Sequence, residues 1–186
     1  MKIKWYIPLM LMCICIFAFT SCSKSSDEED LTSEETQDFS FTQAIVVNNE
    51  TEEFSESVVL KATDYNKAFD EFDGKIKSIE VKQIKYIITN FNGPENQELI
   101  TASLSVADGS GNGAEILATA TNMILADIQN QEQTIDPETA GLNKLQLMMK
   151  NSPHTATMTL SGTANSTPIT LTLTYTIKGS ITVYID

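Results

Sequence analysis

Arginine is absent from this chain: all 12 of its basic side chains are lysines, set against 25 Asp and Glu. Arg is the preferred bidentate partner of phosphate and carboxylate groups, so its absence and a formal charge of −13 argue against nucleic acid and phosphorylated ligands as partners. Tryptophan and cysteine are nearly absent as well, since Trp5, Cys13 and Cys15 all lie in the first 21 residues. Past that point a stacking platform for sugars has to rest on Tyr65, Tyr86, Tyr175, Tyr184 or phenylalanines. Cys22 alone remains as a thiol, which excludes an internal disulfide or a thiolate metal site in residues 22–186. The single histidine, His154, excludes a multi-histidine metal site, and no serine sits in a Gly-x-Ser-x-Gly elbow to make a nucleophile for it. Its setting, Asn151-Ser152-Pro153-His154, predicts an exposed turn histidine.

What is present at the N-terminus carries more information. Lys2 and Lys4 open the chain, 5–19 is an apolar run of the length of a secretory core and short for a membrane span, and small Thr20 and Ser21 precede Cys22. Phe19-Thr20-Ser21-Cys22 resembles the lipobox of bacterial lipoproteins, with Phe19 where the family usually has an aliphatic residue. The resemblance implies a signal peptide over 1–21 and lipidation of Cys22, including fatty acyl chains of the palmitate kind. At about 0.8 kcal/mol per buried methylene, more than one acyl chain holds a protein durably on a membrane. The alternative is an ordinary secretory signal cut near Ser21, leaving a free thiol. Ser23-Lys24-Ser25-Ser26-Asp27-Glu28-Glu29-Asp30 looks like the acidic segment that follows the lipidated cysteine in Bacteroidota-type surface lipoproteins. That likeness implies an outer-membrane anchor with the domain facing the cell exterior, the periplasmic face being the alternative. Without Lys2 and Lys4, ten lysines face the 25 carboxylates, so membrane contact is expected through the lipid alone.

Residues 23–38 hold seven carboxylates and one large apolar side chain, Leu31, the composition of a solvated tether. Residues 22–38 are therefore read as lipidated cysteine and tether, spanning roughly 20 to 25 Å, and 39–186 as a single globular domain. The domain is all-β, or β-rich α+β: an antiparallel β-sandwich with one or two short helices. In 169–177 apolar residues and threonines alternate without a fault, which sends Leu171, Leu173, Tyr175 and Ile177 to one face and the hydroxyls to the other. Residues 155–160 alternate likewise, so 161–168 reads as a hairpin connection, and Lys178-Gly179-Ser180 as a turn into a third strand of a meander. Strands are expected at 39–47, 54–60 and 99–106, the last paired with 76–91 across Asn92-Gly93-Pro94-Glu95-Asn96. The alternation of 76–91 slips between Val81 and Ile84, which predicts a bulge or a split. Residues 115–121 form a weaker strand, and 116–130 fits either helix or strand. Asp64 caps a short helix that Gly74 ends, and Asp136-Pro137-Glu138 starts an amphipathic helix over 137–150.

Three groupings offer chemistry. Asp108, Ser110 and Asn112 place oxygen-bearing side chains at every second residue of a Gly-rich loop, with Glu115 as the nearest further carboxylate: half of a calcium loop. A bidentate closing Glu is replaced by Thr119, and a plain loop between strands explains the same letters. Apart from calcium there, no cofactor is expected. Asp70, Glu71 and Asp73 can serve a hydrolase only if the fold places them across a cleft. The hydroxyl faces of 155–159, 170–176 and 103–105 suit a polysaccharide if their strands share a sheet. The composition favours a noncatalytic binding or interaction domain with a protein or polysaccharide partner at the cell surface and assigns no catalytic residue. A carboxylate hydrolase and a structural subunit of a surface assembly are the alternatives.

Overall fold

A strand whose inward positions are apolar and outward positions hydroxylated has to lie on a second layer, and this chain folds as two such layers. The computed structural model describes residues 33–185; Cys22, the signal segment and the acidic run to Asp30 lie outside them. Eight strands follow in order: β1 (Ser33–Asn49), β2 (Glu53–Lys61), β3 (Ile76–Thr89), β4 (Glu98–Asp108), β5 (Glu115–Ile124), β6 (Gln133–Ile135), β7 (Thr155–Ala164) and β8 (Ile169–Ile185). They form two four-stranded sheets, ordered β1-β8-β3-β6 and β2-β7-β4-β5, with every ladder antiparallel. Only β4 and β5 are both consecutive and paired; every other connection changes sheet. This interleaving of two Greek keys is the jelly-roll form of the β-sandwich.

The expected sandwich is thus observed, but its local pairings are not. β7 and β8 lie in different sheets, and so do β3 and β4, so neither expected hairpin forms. The crossing between β7 and β8 is held by Gln97, fully buried, whose side-chain amide donates to the carbonyls of Ser166 (2.7 Å) and Pro168 (3.1 Å). Asn165 adds a bond from the backbone N–H of Glu98 to its side-chain oxygen at 2.9 Å. These contacts take the connection away from a tight turn.

The expected turn at 178–180 is also corrected: β8 runs straight through it for 17 residues, paired with β1 on one side and β3 on the other. Gly179 is there for close approach, since a Cβ would stand 2.6 Å from the Phe39 ring and collide with the Glu80 carbonyl. The slip in β3 is a bulge within one strand, between Val81 and Gln83. β1 starts at Ser33, so 33–38 belong to the sheet and not to the tether.

Helices are short. Asp64 closes a 3-10 turn (Ala62–Asp64) and caps no helix; α1 (Ala68–Glu71) begins beyond it, with Asn66 accepting the Ala68 N–H at 2.9 Å just ahead of its N-cap, Lys67. Residues 116–130 divide into the end of β5 and a single turn, α2 (Leu125–Ile128). α3 (Thr139–Lys150) starts later than expected, because Glu138, whose N–H bonds to the Leu117 carbonyl at 2.8 Å, is itself held extended. Leu145 and Met149 are buried, and Gly141 lets the helix backbone touch the Ile116–Leu117 strand, where a Cβ would clash.

The core is unevenly filled. Rings gather beside β1, where Phe39 and Phe41 stack at 4.6 Å and Phe69 packs edge-on against Phe39 at 5.9 Å. On the opposite side, between β5 and β6, the inward positions include Ala102, Ala118 and Ala120.

Candidate functional site

Interiors of folded proteins pack like organic crystals, with few voids larger than a water molecule. Here a cavity of about 260 Å³ lies between the two sheets, with walls from β3, β6 and β8 on one side and β4, β5 and β7 on the other. Its origin is local. Three alanines stand where the facing sheet presents Tyr86, Leu171 and Leu173, and β6, only three residues long, leaves that side of its sheet short. An apolar cavity of about 150 Å³ suffices to bind benzene, so this one has room for a larger apolar group.

Polar groups are confined to a few positions. Thr134, in the middle of β6, and Asp136, just past its end, are exposed and mark the rim, together with Thr119 from β5. Thr119 donates to the Glu138 carboxylate at 3.4 Å. Tyr86 is half-buried in the wall, and its hydroxyl has no hydrogen-bond partner among the described residues. Burial pushes its phenol above the ordinary range, so it stays neutral and able to donate. Among the described residues, Asp136 and Tyr86 are the only ionisable side chains in the lining. Such a site can hold an apolar segment and give one or two polar contacts at its ends.

The residues singled out from sequence fall elsewhere. Asp108 accepts the backbone N–H groups of Ser110 and Asn112, both at 2.9 Å, and these bonds, that of Asn112 first, hold its carboxyl below the ordinary carboxylate value. The loop therefore closes on its own aspartate. Lys144 sits beside it at Gly113, Ser110, Asn112 and Glu115 are exposed, and among the described residues no three His, Cys, Asp or Glu are grouped to hold a metal ion.

Asp70, Glu71 and Asp73 are exposed and none lines the cavity. His154 is corrected from an exposed turn residue to a buried one, 3% exposed. Its Nδ1 lies 2.8 Å from the Met149 carbonyl, its Nε2 lies 3.2 Å from Asp73, and its ring packs on Phe69. The imidazole is thus a structural brace that ties the end of α3 to Asp73 and packs on Phe69.

The hydroxyl faces are divided as the strands are. Those of β4 and β7 share a sheet, with Ser103 opposite Ser161 and Ser105 opposite Thr159, while Thr170, Thr172, Thr174 and Thr176 belong to β8 in the other sheet. The tyrosines form no common platform: Tyr175 is fully buried, Tyr86 faces the cavity, and Tyr65 bonds to Gln43 and to the Thr42 carbonyl.

Sequence reasoning missed the cavity. Its trace was in the weak strand 115–121, where Ala118 and Ala120 alternate with Thr119 and Thr121: a two-residue period whose inward members are too small to fill a sandwich.

No family model matches the chain, and no curated protein does. Among solved structures, one of turnip yellow mosaic virus aligns over 82% of this chain and 95% of its own at 12% identity and a TM-score of 0.38. One of desmodium yellow mottle tymovirus aligns over 81% and 88% at 13% identity and 0.35, and one of infectious bursal disease virus over 82% and 33% at 8% identity and 0.32. Likeness at this level carries no argument about this protein, and the fold assignment stands on the strand order alone.

Proposed function

We propose that the chain is a lipid-anchored cell-surface protein whose β-sandwich is a noncatalytic binding domain, and that the cavity between its sheets receives the apolar part of a ligand. The anchor rests on Cys22 with its lipobox-like approach, and the outward address on the acidic run that follows. The binding reading is carried by one observation: a 260 Å³ apolar cavity kept open by three alanines at inward strand positions. Left empty and dry, a void costs about 24 cal/mol per Å³, roughly 6 kcal/mol here as a ceiling for a cavity that opens to solvent. Larger side chains would remove that cost, so their absence favours a use for the space. A noncatalytic role is supported by the lining, where, among the described residues, Asp136 is the one carboxylate and no second one stands with it as an acid–base pair.

The test uses 1-octanol as a neutral apolar probe. A ligand that binds only the folded state raises Tm by mass action. The expected result is a concentration-dependent rise in the full chain that Ala102→Ile abolishes; an equal response in both proteins overturns the reading. For the anchor, Cys22→Ser is expected to move the protein from the membrane fraction to the soluble one, and intact cells to expose the domain to added protease. Protection until the outer membrane is broken favours the periplasmic face instead.

A further inference from the structure

Resting on the cavity reading, the charge of the ligand follows from what surrounds the opening. Asp136 stands at the rim, exposed and with no ion pair among the described residues. Glu138, two residues further on, accepts the hydroxyl of Thr119, which itself lines the cavity, and is a second carboxylate on that segment. Among the described residues no lysine lines the cavity, and Lys85, next to Tyr86 on β3, is paired with Glu132 at 2.5 Å. The chain as a whole carries −13. The field at the opening is therefore negative, with walls of low dielectric behind it that focus it.

We infer that this site selects an amphiphile with an ammonium head and a short alkyl segment, the alkyl part lying between the sheets and the ammonium pairing with Asp136. Length follows from volume. A cavity of about 260 Å³ exceeds the roughly 150 Å³ that receives benzene, so it has room for an alkyl segment of more than six carbons. The Tyr86 hydroxyl, unpartnered in the wall, serves a polar atom if the ligand carries one along the chain. Anionic amphiphiles such as alkanoates meet the same rim with repulsion. Heads of opposite sign held about 4 Å from Asp136 are separated by about tenfold after screening.

The experiment is photo-crosslinking of the full chain with three octyl probes that carry the same mid-chain diazirine and differ in the head: ammonium, hydroxyl or carboxylate. Cross-linked peptides are mapped by mass spectrometry. The inference expects labelling of the cavity walls, at Met123 and the Ala102 and Leu173 strands, with the ammonium probe about tenfold above the carboxylate probe. Asp136→Asn is expected to lower that ratio at least threefold, and so is 0.5 M salt, since an exposed charge is screened. Wall labelling by the hydroxyl probe with equal or greater labelling by the carboxylate overturns the charge selection and leaves the cavity reading standing. Absence of wall labelling by all three probes overturns both. An ammonium preference that Asp136→Asn and salt leave unchanged refutes the assigned role of Asp136.

Discussion

Replacing Ala102 by isoleucine should make this protein more stable, although most core substitutions destabilise. Ala102 is 8% exposed, sits in the middle of β4 opposite Gly162 and Ala120, and forms part of the cavity wall. Isoleucine adds three carbons and suits a strand. At about 0.8 kcal/mol per buried methylene the ceiling is about 2.4 kcal/mol, and incomplete fit lowers the expected gain to about 1–2 kcal/mol. Urea unfolding of the full chain, followed by far-ultraviolet circular dichroism, measures it: the midpoint should rise with the slope unchanged. In a core packed without a void, the same three carbons would cost about 1–3 kcal/mol by overpacking. A fall in the midpoint that corresponds to a loss of about 1 kcal/mol or more therefore refutes the cavity as a space available to side chains or ligands.

Other positions give independent checks by the same assay. Tyr175→Phe should stabilise by about 1 kcal/mol, because the hydroxyl is fully buried with no partner among the described residues; a loss of that size contradicts it. His154→Ala should cost about 2–4 kcal/mol, combining lost packing on Phe69, an orphaned Met149 carbonyl and a left-handed backbone at φ 57°. Asp73→Asn, at a half-exposed partner, should cost about 1 kcal/mol or less, and equal losses for the two would contradict the brace. Asp108, its carboxyl held low by the Asn112 and Ser110 N–H groups, stabilises the fold above its unfolded-state value and loses that contribution as pH falls through the depressed folded value. Asp108→Asn should therefore flatten the loss of stability with acid below the ordinary carboxylate range, and a curve parallel to the parent's counts against it.

Much of the layer structure was legible because alternation reports burial directly. The Leu171, Leu173, Tyr175, Ile177 row of β8 is buried as its period demands, and the slip near Val81 is a real bulge. Pairing was not legible, because alternation says which face is buried and not which strand supplies the ladder. Lys178-Gly179-Ser180 shows the difficulty in miniature: glycine signals both a turn and a close approach, and only the Phe39 ring and Glu80 carbonyl decide between them. His154 looked exposed because Ser152-Pro153 marks a loop, yet the loop folds back so that the ring meets Phe69 and Asp73. Asp136 was read as a helix cap; the Glu138–Leu117 backbone bond delays α3 and leaves Asp136 at the cavity rim. The cavity itself depends on which alanines face which leucines across the two sheets, a relation between strands distant in sequence.

The central claim, that the space between the sheets is a ligand site, is tested most directly by titrating the isotopically labelled full chain with 1-octanol and following backbone amide shifts. The expected result is saturable change concentrated at β4, β5, β6 and the Leu171–Leu173 part of β8, and lost in Ala102→Ile. Shifts that never saturate, or that spread over the outer faces while the cavity strands stay still, would contradict it.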